Sequence, residues 1–166
     1  MFKIYGAFVV LLLFFNGATL AQTTVFANGE DGYLCYRIPA IVKAPNGDLL
    51  AFCEARKQSC ADHGNVKIVL KRSRDNGATW SKLQIVAENG ALQAGNPAPV
   101  YDLTDKKHKK GRLFLFYNTG TLASEQAVRE GKAMREVWYK TSTNHGKPGQ
   151  NRSISRVLCP APTIRK

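Results

Sequence analysis

Residues 73–80 read Ser-Arg-Asp-Asn-Gly-Ala-Thr-Trp, and the prediction of the fold rests on this octapeptide. Asp75 can accept backbone N–H groups within a turn, Gly77 can adopt a positive φ, and Trp80 can pack between strands. On either side lie short segments of strand character, residues 67–73 and 83–87. The octapeptide therefore predicts a tight turn that closes a β-hairpin.

A second hairpin precedes this turn in the chain. Residues 36–43 and 48–56 are apolar runs rich in β-branched side chains, and a turn signal, Ala-Pro-Asn-Gly-Asp, joins them. Together the two hairpins predict a unit of four consecutive antiparallel strands.

The same layout begins again further along. Strands are predicted at residues 98–103, 112–118 and 137–142, and Ser-Thr-Asn-His-Gly at 142–146 repeats the arrangement of residues 73–77 after a third strand, 69 residues later. We expect this second unit to stop after three strands. Four-stranded sheets that recur with a turn at a fixed place are typical of a β-propeller, and a β-sandwich is the alternative all-β architecture.

Charge is distributed unevenly in this chain of 166 residues, whose formal net charge is +12. Residues 22–103 hold nine Lys/Arg against eight Asp/Glu, whereas residues 104–166 hold fourteen against four. The excess lies in the C-terminal tail and in a loop that carries Lys106, Lys107, Lys109 and Lys110. A basic loop without interleaved aromatic residues argues against nucleic-acid binding and leaves a module for acidic polymers as an alternative.

The N-terminus has the pattern of a secretory signal peptide, residues 1–21. Lys3 forms a short basic region, residues 7–15 are apolar, and Thr-Leu-Ala at 19–21 suits cleavage. The apolar run is too short to span a bilayer, so we expect a secreted or periplasmic protein without stable membrane insertion.

Four cysteines, Cys35, Cys53, Cys60 and Cys159, follow this segment. Export permits disulfides, but the spacing decides no pairing and matches no zinc site. Because Cys35 and Cys53 fall on apolar strand segments, we expect both to be small buried residues. No metal or cofactor is predicted.

Five motifs occur in the order found in one known family. Ser73, Asp75, Gly77, Thr79 and Trp80 fit S-x-D-x-G-x-T-W, which resembles the Asp box of sialidases. Upstream, Tyr-Arg-Ile-Pro at 36–39 resembles the signature near the start of sialidase catalytic domains, followed by Glu-Ala-Arg at 54–56, Asp-His-Gly at 62–64 and Asn-Pro-Ala-Pro at 96–99. The resemblance covers about residues 30–147. It implies a six-bladed β-propeller, of which residues 22–147 hold the first blade and most of the second.

The resemblance also implies a function, hydrolysis of terminal α-linked sialic acid from glycoconjugates without a metal. Arg37 corresponds to the first arginine of the triad that binds the substrate carboxylate, a group that planar guanidinium donors suit. Asp62 corresponds to the acid/base residue. Arg56 and Asn96 are candidate substrate contacts, the alternatives being a structural salt bridge and a turn cap. The Asp box is structural and lies away from the substrate.

In the family the tyrosine nucleophile, its glutamate partner and two further arginines come from later blades, so we expect this chain alone to be inactive. A non-catalytic carbohydrate-binding propeller fragment is the alternative function. Residues 148–166 form an aberrant tail, because Pro-Gly follows Lys147 where an Asp box has Thr-Trp. A single-base deletion at codon 147 would explain this departure.

Overall fold

The computed structural model describes residues 22–120, 125–132 and 135–148 together with the backbone of 154–157. The predicted signal peptide and Cys159 lie outside the described residues, as does most of the predicted aberrant tail. The described elements, in chain order, are β1 (Cys35–Lys43), β2 (Leu49–Arg56), β3 (Val66–Ser73), β4 (Gln84–Ala87), β5 (Ala94–Asp102), β6 (Arg112–Thr119), α1 (Glu125–Arg129), β7 (Glu136–Ser142) and β8 (Ile154–Val157).

The strands form two antiparallel sheets, each built from four consecutive strands. The first has the order β1-β2-β3-β4 and the second the order β5-β6-β7-β8. In an immunoglobulin-type sandwich the chain passes between sheets, whereas a propeller blade is completed before the next begins. The observed order is that of two successive blades, as the repeat in the sequence predicts.

The second sheet has a fourth strand, whereas the sequence predicts only three. β8 pairs antiparallel with β7, with Val137 opposite Val157 and Lys140 opposite Ile154. The expectation of three strands was therefore wrong. Backbone groups rather than side chains make the ladder, and β-branched residues at both ends of Ile-Ser-Arg-Val favour extended backbone, so the polar residues between them do not prevent pairing.

Both blades begin with the same irregularity in their first strand. The register shifts between Arg37 and Ala40 in β1 and between Gly95 and Ala98 in β5. A residue at positive φ followed by proline lies at each shift, Ile38 at 55° and Asn96 at 55°. This bulge explains why β5 begins at Ala94 rather than at Ala98, where the sequence predicts it.

The two sheets share one hydrophobic core. Hydrogen bonds also cross between them: Lys140 Nζ donates to the Val86 carbonyl at 2.9 Å, and the Asn96 backbone N–H donates to Glu54 Oε1 at 2.7 Å. Burial of apolar side chains from both sheets holds the blades together as neighbours. The core residues are Leu50, Phe52, Ile68, Leu70, Val86 and Ala87 of the first sheet and Ala94, Leu113, Leu115 and Tyr117 of the second.

The turn between β3 and β4 makes the hydrogen bonds that its sequence predicts. Asp75 Oδ1 accepts the Thr79 backbone N–H at 2.9 Å, and Ser73 Oγ accepts the Gly77 N–H at 2.7 Å. Gly77 has φ 95°, and Trp80 Nε1 donates to the Gly77 carbonyl at 3.1 Å. Hydrogen bonds from the Thr79 side chain and backbone lower the pKa of Asp75 to about 2.

The turn after β7 shares part of this hydrogen bonding, with an asparagine in place of the aspartate. Ser142 Oγ accepts the Gly146 N–H at 2.7 Å, as Ser73 Oγ accepts that of Gly77. Asn144 Oδ1 accepts the Lys147 N–H at 3.1 Å, three residues on rather than four, because the residue at the position of Thr79 is Pro148, which has no N–H.

Antiparallel pairing places these turns and the basic loop at one end of the blades. At the other end lie the start of β1, the end of β2, the loop 57–65 and the bulge of β5. This second end carries every predicted substrate-site residue.

Candidate active site

Arg37 lies immediately before the bulge of β1. Positive φ is unfavourable for a β-branched residue such as Ile38, and backbone of this kind occurs mainly where function or packing requires it. The Cys53 thiol donates to the Arg37 carbonyl at 3.0 Å, which ties the bulge to β2. The Arg37 side chain is 45% exposed and donates only through Nη1, to the Cys60 carbonyl at 3.2 Å and to Asp62 Oδ1 at 3.1 Å. Within the described chain, its Nε and Nη2 make no hydrogen bond.

Arg56, at the end of β2, differs from Arg37 in being 1% exposed and fully hydrogen-bonded. A guanidinium has five N–H donors, and each of those on Arg56 has an acceptor. Nε donates to Glu54 Oε2 at 3.1 Å, and Nη2 donates to the same oxygen and to Asp62 Oδ1 at 2.7 Å. Nη1 donates to the carbonyls of Cys60 and Ala61. Arg56 thus joins strand β2 to the loop 57–65.

One carboxylate oxygen of Asp62, Oδ1, accepts hydrogen bonds from both arginines, and the side chain is 50% exposed. The hydrogen bond from Arg56, with the charges of Arg56, Arg37 and Arg135, holds the pKa of Asp62 below its ordinary value despite partial burial. The carboxylate is therefore ionised at neutral pH in the absence of substrate.

Glu54 connects this cluster to the second blade. Its side chain is 1% exposed, with Oε2 facing Arg56 and Oε1 accepting the Asn96 N–H. A Cβ at Gly95 would lie 2.6 Å from Glu54 Oε1, so only glycine leaves room for the carboxylate. The Asn96 residue itself is exposed. Glu54 thus fixes the bulge of β5 beside the arginine cluster.

A disulfide between Cys35 and Cys60 links the start of β1 to the loop that carries Asp62. Cys35 is buried, as expected, but it is not a simple apolar core residue, because it is bonded to a loop cysteine that sequence spacing could not place. Cys53 is buried and free, as expected. Burial raises the pKa of the Cys53 thiol to about 11, which keeps it protonated.

Tyr36, next to Arg37, does not have the properties of a nucleophile. Its hydroxyl donates to the Glu30 carbonyl at 3.1 Å, and burial raises its pKa to about 12. The ring packs against Phe26 and Tyr33. Among the described residues there is no group of three His, Cys, Asp or Glu side chains that could hold a metal ion.

The structure brings the four predicted substrate-site residues together at one end of the two blades: Arg37, Arg56, Asp62 and Asn96. Glu54 and the disulfide belong to the same cluster, although the sequence predicts no role for either. A signal for Glu54 was present: a charged residue within the apolar strand LLAFCEAR, two residues before an arginine, indicates a buried ion pair. The contribution of Arg135, from the segment before β7, had no such signal.

The chain is similar in sequence to several known proteins. No protein-family model matches the chain. It is 35% identical over 131 residues to an exo-alpha-sialidase of Aspergillus fumigatus, covering 74% of this chain and 31% of the relative. It is 31% identical over 137 residues to Sialidase-2 of Rattus norvegicus, covering 77% of this chain and 32% of that protein. It is also 30% identical over 147 residues to a sialidase of Micromonospora viridifaciens, covering 83% and 22%.

Solved structures with the same fold include a Hadza microbial sialidase, at TM-score 0.61 and 21% identity, covering 77% of this chain and 27% of that one. Trypanosoma rangeli sialidase in complex with sialic acid gives TM-score 0.53 and 22% identity, covering 76% and 20%. The chain thus spans about a third or less of each of these proteins.

Proposed function

Because the chain belongs to the sialidase family, we propose that it supplies the carboxylate-binding and acid/base part of an exo-α-sialidase. The substrate would be a glycoconjugate with terminal α-linked sialic acid. The observation that carries the proposal is the 3.1 Å contact between Arg37 Nη1 and Asp62 Oδ1, both side chains being about half exposed at the same end of the blades.

Arg37 would bind the sialic-acid carboxylate. Its Nε and Nη2 have no protein acceptor among the described residues and lie on a half-exposed side chain. Adjacent guanidinium donors can form paired, charge-assisted hydrogen bonds to a carboxylate, which a lysine ammonium cannot reproduce.

Asp62 would donate a proton to the leaving oxygen and then activate water. A general acid must be protonated, whereas the arginines keep Asp62 ionised in the free protein. A substrate carboxylate bound to Nε and Nη2 of Arg37 brings negative charge beside Asp62 and partly neutralises the guanidinium charge that Asp62 faces. Both effects raise the pKa of Asp62, so substrate binding itself favours the acid form.

Arg56 and Asn96 support the site in different ways. Every donor of Arg56 already has a protein acceptor, so direct substrate contact would require one of these hydrogen bonds to be exchanged. The exposed side chain of Asn96 lies on the bulge held by Glu54, where it can reach a substrate hydroxyl or amide.

The nucleophile half of the reaction is assigned to residues outside this chain. Sialidases use a tyrosine nucleophile, whereas Tyr36 is held by packing of its ring and by the hydrogen bond from its hydroxyl to the Glu30 carbonyl. A polypeptide of these 166 residues alone would then bind weakly and not turn over. Such binding without catalysis is the second candidate function, which the two Arg37 donors without a protein acceptor among the described residues favour.

The predicted signal peptide, residues 1–21, makes this a secreted or periplasmic protein in our proposal. The Cys35–Cys60 disulfide supports export, because disulfides persist in oxidising compartments. The described chain contains no helix with the length and hydrophobicity that crossing a bilayer requires.

The test is hydrolysis of a 4-methylumbelliferyl sialoside by the product of the complete gene. We expect wild-type activity to be lost in Arg37→Ala and kept in Arg74→Ala, a matched change at the exposed turn of the opposite end. An Arg37→Ala protein with wild-type turnover would exclude the proposal. A salt-dependent heparin affinity without hydrolysis would favour the acidic-polymer alternative instead.

A further inference from the structure

We propose that the Cys35–Cys60 disulfide is a positioning element that holds Asp62 beside Arg37, and that its reduction separates the acid/base carboxylate from the carboxylate-binding arginine. This inference rests on the proposed function for its consequence in catalysis. The restraint that the disulfide places on the loop 57–65 does not depend on that function.

The loop 57–65 has few attachments of its own. One backbone hydrogen bond closes it, from the Lys57 N–H to the Asn65 carbonyl at 3.1 Å. Within the described part of the chain, residues 58–64 make no other backbone–backbone hydrogen bond, and residues 57–60 are exposed. Segments with so few buried contacts open at low free energy.

What holds the loop converges on three consecutive residues. Cys60 forms the disulfide, and its carbonyl accepts from both Arg37 and Arg56. The Ala61 carbonyl accepts from Arg56 at 2.7 Å, and Asp62 accepts from both arginines. The covalent bond therefore lies two residues before the carboxylate that must be positioned.

The position of Cys35, the disulfide partner of Cys60, determines which strand the loop 57–65 is linked to. Cys35 is 3% exposed, lies opposite Arg56 in the β1–β2 register and precedes Arg37 by two residues. The disulfide thus joins the Asp62 loop to the same strand that carries Arg37.

The tether matters most when substrate binds. A carboxylate ligand on Nε and Nη2 places a second anion on the Arg37 guanidinium, which weakens the two hydrogen bonds that Nη1 makes to the loop. Arg56 and the disulfide then remain to keep Asp62 in place. Without the disulfide, a single arginine holds the loop during the step that needs a positioned acid.

An added dithiol can reduce the Cys35–Cys60 disulfide. A thiolate of the dithiol attacks one sulfur of the disulfide, and its second thiol displaces the mixed disulfide, leaving two protein thiols and a cyclic disulfide. Cys60 lies on the exposed loop and gives access. Cys53 is buried and stays a thiol, so it is not expected to exchange.

The catalytic test uses the product of the complete gene with and without dithiothreitol, beside a Cys35→Ser/Cys60→Ser variant. Reduction should lower turnover of a natural sialoside, which has a poor leaving group, by about tenfold or more. Turnover of an activated aryl sialoside should change by less than about threefold, because its departure needs little acid help. The double variant should have the turnover of the reduced enzyme, and dithiothreitol should not change that turnover. Equal losses on both substrates, or none on either, would overturn the positioning role.

Hydrogen–deuterium exchange separates this inference from the proposed function. The hydrogen-bonded amides of the loop, Lys57 and Ala61, should exchange at least about tenfold faster after reduction, while those of the basic loop 103–111 stay unchanged. Unchanged exchange at Lys57 and Ala61 would refute the tether. Faster exchange in a protein that hydrolyses neither sialoside would support the tether and refute the proposed function.

Discussion

Replacing Asp62 by asparagine should change binding and turnover in opposite directions. Asparagine keeps the size of the side chain but removes its negative charge and its ability to deliver a proton. The change therefore removes a competitor for Arg37 and an acid at the same time. We therefore expect Asp62→Asn to strengthen ligand binding and to abolish most of the activity.

The structure sets the size of both effects. The Arg37–Asp62 pair joins side chains that are 45% and 50% exposed, and exposed pairs contribute about 0.2–1 kcal/mol. Releasing Arg37 should thus tighten binding of N-acetylneuraminic acid by roughly 1.4- to fivefold. General acid catalysis contributes roughly 100- to 10,000-fold, so turnover of a natural sialoside should fall by about 100-fold or more. An activated aryl sialoside should lose roughly tenfold or less.

The assay combines calorimetric titration with kcat and KM for both substrates on the product of the complete gene. Asp102→Asn, at the opposite end of the blades, is the matched control and should leave every value unchanged. Weaker binding together with equal losses on the two substrates would show that Asp62 supports structure rather than acid/base chemistry.

Three further predictions follow from other parts of the molecule. Arg56→Met leaves Glu54 buried without its counter-charge and should lower the free energy of unfolding, measured in urea, by about 3–5 kcal/mol. The control Arg74→Met should lower it by about 0.5 kcal/mol or less, and similar losses in both variants would contradict the buried pair. Because the pKa of Asp75 is lowered to about 2, its carboxylate stabilises the fold above about pH 4, and this contribution disappears as the pH falls towards 2. Asp75→Asn should keep the turn, since Asn144 occupies the same position in the second turn, and should abolish that part of the acid sensitivity. If codon 147 carries a single-base deletion, resequencing will find an open frame with further blades past it, and early stops in that frame exclude the idea.

Much of the fold follows from local signals in the sequence. The octapeptide 73–80 fixes its own turn because the Asp75 carboxylate, the hydroxyl of Ser73 and the positive φ of Gly77 are all local. The seven predicted strands occur because their apolar, β-branched runs can be buried between two sheets. The pattern of residues 154–157 does not by itself predict β8, because pairing with the edge of the preceding strand, β7, stabilises a segment whose own pattern is weak.

The site was predictable only as a set of motifs. Arg37 and Asp62 come together through the β1–β2 register and the loop 57–65, which motif order alone does not specify. The pairing of Cys35 with Cys60 depends on the same register. Burial distinguishes the two arginines, because every Arg56 donor has an acceptor whereas Nε and Nη2 of Arg37 have none among the described residues. The spacing of Glu54 and Arg56 in an apolar strand signals the buried pair, but no pattern in the sequence signals the open donors of Arg37.

Binding of N-acetylneuraminic acid to Arg37 variants, measured by calorimetry on the product of the complete gene, tests the central claim most directly. Two charge-assisted hydrogen bonds on a half-exposed guanidinium correspond to about 2–4 kcal/mol. Arg37→Ala should therefore weaken binding by roughly 30- to 1,000-fold, Arg37→Lys by about tenfold or more, and Arg74→Ala not at all. Wild-type affinity in Arg37→Lys, or an equal loss in Arg74→Ala, would contradict the account.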